Sequence, residues 1–424
     1  MSVNRNEPPL FGDIRMPVVP SFESSALPNG VKLHVLRGGA QPVVKVDLLV
    51  RAGTLRSEKP LVARAVANLL AEGTVSHSSK ELAQKIDFYG AATWVSVSQN
   101  ASTISFMCLS RDVANIVPLV EEIVKSPTFP REEVDLYASQ ELQSFDVNIL
   151  KTSFNATRAM LKLLYADDDR YSRIARREDY MALEPGLLRQ FYEATYRPAG
   201  AHVVISGLPS DDDLRIISDA FGSNWGGGEE WQTPMPHFLP EPQRRMVDFC
   251  GEQTSLRMAR RIFERMSDDF LPFQVANVAL GGYFGSRLMQ TLREKLGLTY
   301  GVSSYVSSNR QYGIHCVTSE VKSGAHEQAI SVICDEMERL ASRLIPDKEL
   351  DGIRGYMLGD LLRYFESVTT SADTLFSFLA DGVPPSRVKE FYDTVRNITP
   401  SQIREVASRW LKPEAYNVVC VGKM

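Results

Sequence analysis

No run of this sequence reaches the roughly 18 consecutive apolar residues that a membrane-spanning helix requires. Met1–Ile14 is polar and broken by proline, without the apolar centre of a secretory signal. A cytoplasmic chain is the expectation, and a periplasmic one would need a leader already removed. Positive charge is in short supply as well. Against 52 Asp and Glu there are 47 Lys and Arg, a formal net charge of -5, and no Lys/Arg-rich tract occurs. Without surplus cations to displace counterions from phosphates, neither nucleic acid nor a membrane surface is an expected partner. Cysteine is scarce too: the five, at 108, 250, 316, 334 and 420, include no close-spaced pair, so reduced thiols, mostly buried, are expected. The six histidines, at 34, 77, 202, 237, 315 and 326, include no two at the three- or four-residue spacing of a helical metal site. No metal motif stands in the chain.

What is present is a duplication. At 424 residues the chain is too long for one growing core, so two or more domains are the default. Near its middle, Glu184-Pro185 opens a helix-like stretch, Arg197-Pro198 closes it, and the strand-like Val203-Val204-Ile205-Ser206-Gly207 follows. At the end of the chain Thr399-Pro400, Lys412-Pro413 and Val418-Val419-Cys420-Val421-Gly422 repeat that grammar, at an offset of 215 residues for Pro185/Pro400, Pro198/Pro413 and Gly207/Gly422. Upstream, a helix over Lys80 to Tyr89, then Gly90 and a strand, parallels Ser286 to Leu296, then Gly297 and a strand, each with glycine at the helix end. The element order implies an α+β fold of two homologous halves, each a mostly antiparallel sheet with helices packed on one face. The halves are 1–224 and 240–424. Between them 225–239, with Trp225-Gly226-Gly227-Gly228 and Pro234 and Pro236, reads as a Gly-rich linker rather than a long surface loop, because it falls where the duplication demands a boundary.

This organisation resembles the pitrilysin-type (insulinase-type) zinc metallopeptidases, the inverzincins with a His-x-x-Glu-His motif. The opening matches at Leu27-Pro28-Asn29-Gly30-Val31, a strand over Val43 to Val50, and Arg51-Ala52-Gly53-Thr54. The resemblance then implies a zinc helix, here Leu61 to Leu70, ahead of Gly73-Thr74. Counting back from Gly73, the two histidines fall on Arg64 and Asn68 and the catalytic glutamate on Ala67. A guanidinium opposes a cation and a methyl group cannot act as a base, so this half is expected to bind no zinc and to hydrolyse nothing alone. The third ligand would fall near Gln143 to Phe145, with Glu141 and Asp146 the nearest acids.

The second half keeps more. Leu292-Arg293-Glu294-Lys295-Leu296-Gly297-Leu298-Thr299-Tyr300, after Gly281-Gly282 and Ser286-Arg287-Leu288, reproduces the family's arginine and tyrosine seven positions apart. Taken alone, Arg293 is a solvated helix charge and Tyr300 core. The resemblance instead implies that the pair binds substrate and stabilises an oxyanion. The periodicity predicts a helix from Phe284 to Leu296 with Leu288, Leu292 and Leu296 on one buried stripe and Arg293 off it. His315 and His326, eleven residues apart, read as structural, and Asp167-Asp168-Asp169 as a solvated loop.

Three functions fit these residues. The chain is a zinc-less subunit of a heterodimeric peptidase acting on unfolded peptides, with no cofactor of its own and zinc in a sister chain. Alternatively it is a structural scaffold of the same fold, or a peptide-binding module. In isolation a homodimer is open to it. The retained Arg293 and Tyr300 favour the first.

Overall fold

The computed structural model describes residues 12–167 and 169–423. The first half contributes strands β1 (Glu23–Ala26), β2 (Lys32–Arg37), β3 (Val43–Val50), β4 (Ala92–Val97), β5 (Ser102–Leu109) and β6 (His202–Gly207). Its helices are α1 (Val62–Leu69), α2 (Ser79–Phe88), α3 (Val113–Lys125), α4 (Arg131–Asn148), α5 (Thr152–Leu164), α6 (Arg177–Met181), α7 (Pro185–Thr195) and α8 (Asp211–Gly222). The second half has strands β7 (Arg244–Asp248), β8 (Gln253–Ile262), β9 (Thr299–Ser308), β10 (Gly313–Lys322) and β11 (Asn417–Gly422). Its helices are α9 (Phe270–Asn277), α10 (His326–Ser342), α11 (Asp347–Arg363), α12 (Val368–Asp381), α13 (Arg387–Asn397) and α14 (Pro400–Trp410).

The two sheets are copies of one topology. The order β2-β6-β3-β5-β4, extended by β1 at its edge, is matched strand for strand by β7-β11-β8-β10-β9. Each sheet has one parallel pair, β2 with β6 and β7 with β11, and is otherwise antiparallel. The duplicated residues have local causes. Pro185 and Pro400 both sit in the first turn of a helix, where the missing N–H is no loss. Gly207 ends β6 with φ +113°, and a Cβ there would lie 2.0 Å from the Val43 carbonyl oxygen. Gly422 ends β11, where a Cβ would lie 2.6 Å from Thr254. Only glycine lets the neighbouring strand approach so closely.

Along β3, Val44, Val46, Leu48 and Val50 alternate onto the face covered by the first half's own helices. The opposite face of each sheet receives a helix from the other half. On α5, Ala156, Met160 and Leu163 pack in one cluster with Ala259 of β8 and Val419 and Val421 of β11. On α12, Ala372 packs with Leu36 of β2 and Val204 of β6, flanked by Val368 and Phe376. These two helices begin at 152 and 368, equivalent places in the repeat, so the exchange is reciprocal. It is not symmetric. By strand equivalence α5 covers the β6/β3 position of its host sheet, whereas α12 covers β2 and β6 of its own host. Displaced by one strand, α12 leaves the faces of β3, β5 and β4 bounding a cavity of about 850 Å³.

Residues 223–243 form no helix or strand, yet they are pinned by aromatic residues. Trp225 is buried in the first core and donates Nε1–H to the Tyr196 carbonyl at 3.1 Å. The Trp231 ring is approached by Arg56 and Arg170 at 5.1 and 5.9 Å. Phe238 contacts Tyr165 and Tyr312, one from each half.

Candidate functional site

The residues at the zinc-motif positions all lie on α1. Ala67 faces the core, and Arg64 and Asn68 are exposed. Across from them stands α4, whose Tyr137 hydroxyl accepts a hydrogen bond from Asn68 Nδ2 at 3.3 Å. Burial pushes the Tyr137 phenol pKa up, with Glu141 adding to the shift and Arg64 opposing it. Of the two acids near the third-ligand position, Asp146 is taken by an ion pair with Arg177. A guanidinium, a methyl group and a carboxamide bound to a phenol do not fit a zinc ion. Among the described residues no group of three or more His, Cys, Asp or Glu could hold a metal.

Arg293 and Tyr300 come together. The segment Met289–Lys295 is a wide helical turn in which Leu296 N–H donates to Thr291 O at 3.1 Å, five residues back, and Leu298 N–H to Leu292 O at 2.8 Å. Leu288 and Leu292 are fully buried as the apolar stripe requires, but Leu296 is 41% exposed and not on it. The wider turn is the reason: residues four apart no longer stack on one face. The same turn delivers Arg293 to the start of β9. There its guanidinium lies 5.0 Å from the Tyr300 ring centroid and 4.7 Å from that of Phe284, with Glu294 at 3.4 Å. Tyr300 is 85% exposed and Phe284 68%.

An arginine held between two rings in solvent keeps its peripheral N–H donors free of the rings. Phe284 has no helical or strand-period relation to Arg293, so no sequence period singles it out. Gly281 explains part of its placement: it lies in the wide helical turn Val278–Gly282, and a Cβ there would lie 2.7 Å from Ser304 Cβ, so glycine lets this turn seat against β9.

The other flagged residues are structural. His315 is buried, with Nδ1 2.6 Å from the Tyr416 hydroxyl and Nε2 2.8 and 2.9 Å from Ser304 Oγ and Asn277 Oδ1. Burial, then the charge of Arg260, lowers its pKa to about 3, which keeps the ring neutral. His326 is buried at the start of α10. Asp168 lies outside the described residues. Asp169 accepts backbone N–H bonds from Tyr171 at 2.8 Å and His237 at 2.6 Å, the work of a loop cap. All five cysteines are free, with Cys108 and Cys420 buried and Cys250 exposed.

Comparison with known proteins gives this geometry a context. Residues 182–356 match the family described as the peptidase M16 inactive domain. An uncharacterized zinc protease of Streptomyces coelicolor is 22% identical over 399 residues, 89% of this chain and 86% of that one. A non-peptidase homolog of Helicobacter pylori is 20% identical over 371 residues, 86% and 85% of the two chains. Among solved structures, a peptidase M16 inactive domain from Pseudomonas fluorescens superposes with a TM-score of 0.88 at 22% identity, covering 96% of this chain and 98% of that one. A protease from Helicobacter pylori superposes at 0.84 with 16% identity, covering 95% and 100%.

Proposed function

We propose that this chain, which matches the peptidase M16 inactive domain over residues 182–356 and carries Arg64, Ala67 and Asn68 where the zinc motif would fall, is an inactive-type relative of those peptidases and serves as the substrate-handling subunit of a two-chain peptidase. In this reading a sister chain carries the intact zinc motif and the attacking water. This chain contributes Arg293 and Tyr300. The observation that carries the reading is the exposed stack of Phe284, Arg293 and Tyr300.

A buried role would account for neither the exposure of Tyr300 nor the cost of holding a phenylalanine ring in solvent. A guanidinium fixed between two rings has lost its rotamer freedom before substrate arrives. Its donors, with the Tyr300 hydroxyl, can therefore bind a peptide carbonyl as it gains negative charge, without further ordering. The edge strands β4 and β9 offer unpaired backbone groups to an extended, unfolded peptide.

Reconstitution with the sister chain should switch on hydrolysis of unfolded peptides that neither chain cleaves alone. Tyr300→Phe keeps the ring and removes one donor, so its cost should fall on kcat, by about 10²- to 10³-fold if the hydroxyl acts as an oxyanion donor. Arg293→Ala should also raise KM. Unchanged kinetics for both variants in an assembled, active complex would refute this role and leave the scaffold.

A further inference from the structure

The one-strand displacement of α12 opens, in the first half only, a face that α5 fills in the second, and residues lining the cavity left by that break in the duplication carry charge. We propose that this cavity is a pocket for the guanidinium or ammonium group of a side chain on an extended peptide lying along β4. The proposal rests on the peptide-handling reading above and adds a preference to it.

The floor is unusual for the middle of a sheet. Lys45 and Asp47 are alternate residues of β3, with side chains only 8% and 4% exposed. Lys45 Nζ pairs with Asp373 of α12 and lies 3.1 Å from Asp47 Oδ2. Asp47 Oδ1 accepts a hydrogen bond from Ser105 Oγ at 2.5 Å, and the buried Oδ2 is held only by its ion pair with Lys45. Two carboxylates therefore share one ammonium, and the negative charge left over sits at Asp373, the more exposed of the two. Burying charges on a sheet face adds little stability by itself, so the fold alone does not call for this arrangement. Asp373 is half-exposed towards the cavity.

Beside it the Trp94 ring lies 5.5 Å from Lys45 Nζ and is 40% exposed, a platform on which a planar cation stacks. At the far end of the cavity stands Arg51, and Asp381, paired with Arg265 at 2.7 Å, offers no spare charge there. A cation is thereby directed to the Trp94 and Asp373 end.

The route in is the edge of the sheet. β4 has a neighbour on one side only. Trp94 and Ser96 point into the cavity, while Val95 packs against the first core. A peptide added to β4 would alternate in the same way, sending every second side chain into the cavity and the others to the α1 side. An arginine or lysine reaching inward would meet the exposed faces of Trp94 and Asp373.

The test is fluorescence anisotropy on the isolated chain with a fluorescein-labelled, unstructured serine-valine peptide bearing one central arginine, against a twin with neutral citrulline in its place. The arginine peptide should bind about tenfold tighter or better. Asp373→Asn or Trp94→Ala, both at solvent-accessible positions, should bring the ratio close to one. Equal binding of the two peptides to the unmodified chain overturns the pocket and leaves the peptide-handling reading standing. Failure of both peptides to bind overturns that reading and the pocket together. Competition by free arginine as strong as that by the peptide overturns delivery by a strand.

Discussion

Trimming Met160 to alanine tests whether α5 belongs energetically to the sheet it covers. Met160 is 6% exposed and shares its cluster with Ala259, Val419 and Val421 of the second sheet. Removing most of such a side chain costs about 2–5 kcal/mol, the lost transfer energy plus the cavity left behind. For a cooperative unit of about 200 residues this lowers the melting midpoint by about 4–20 °C.

The tryptophans allow the loss to be located. Trp410 packs on Phe263 in the second half, with ring centroids 4.7 Å apart, and Trp225 lies in the core of the first. In single-tryptophan variants followed by fluorescence, Met160→Ala should lower the transition seen by Trp410, although residue 160 belongs to the first half in sequence. Thr157→Ala, on the exposed side of the same helix, should move it by no more than about 0.5 kcal/mol. If Met160→Ala shifts the Trp225 transition and leaves Trp410 unmoved, α5 does not stabilise the second sheet and the exchange is only a contact.

Zinc measured by plasma mass spectrometry after dialysis should stay far below one ion per chain. A stoichiometric ion lost on Asn68→Ala would contradict the substituted motif. Burial alone would raise the Glu122 carboxyl, but hydrogen bonds from Thr74, Ser76 and His77 outweigh it and hold its pKa near 2. Its contribution is complete above an ordinary carboxyl pKa of about 4.5 and is lost as pH falls from there towards about 2, so Glu122→Gln should flatten that part of a stability-against-pH curve. His202, stacked on His34, has its pKa lowered to about 3 by burial and then by the charges of His34, Arg51 and Lys32. The unfolded chain takes up that proton first, so stability should fall from about pH 6.5 down to about 3, and His202→Gln should remove that share of the slope in an acid titration followed by circular dichroism.

The repeat was legible because glycine and proline carry backbone information that survives without context. Pro185 and Pro400 could only open helices, and Gly207 and Gly422 stand where a Cβ would strike the next strand. The seven-residue step from Arg293 to Tyr300 was legible as a pattern, although the stack with Phe284 was not. Apolar periodicity reports which side of a helix is covered and is silent about what covers it. Nothing in the sequence marks Met160 or Ala372 as facing the other half's sheet. Periodicity is equally silent on hydrogen-bond spacing. Leu288, Leu292 and Leu296 fit an α-helical stripe, and the five-residue step at Thr291 then turned Leu296 out to solvent. The cavity above Lys45 and Asp47 arises from a displacement of one strand width, which no run of residues along the chain encodes.

The exchange of α5 and α12 changes what it means for this chain to have two halves. Each lends the other a helix that its own sheet does not use, which is the arrangement of a domain-swapped dimer whose protomers have been fused end to end. In such a molecule the residues joining the copies act as a tether. They raise the effective concentration of one copy around the other, while cohesion resides in the traded helices. One copy on its own would leave its lent helix without a partner and one face of its sheet bare. The smallest self-sufficient unit of this architecture is the pair, whether joined by a peptide bond or brought together from two chains.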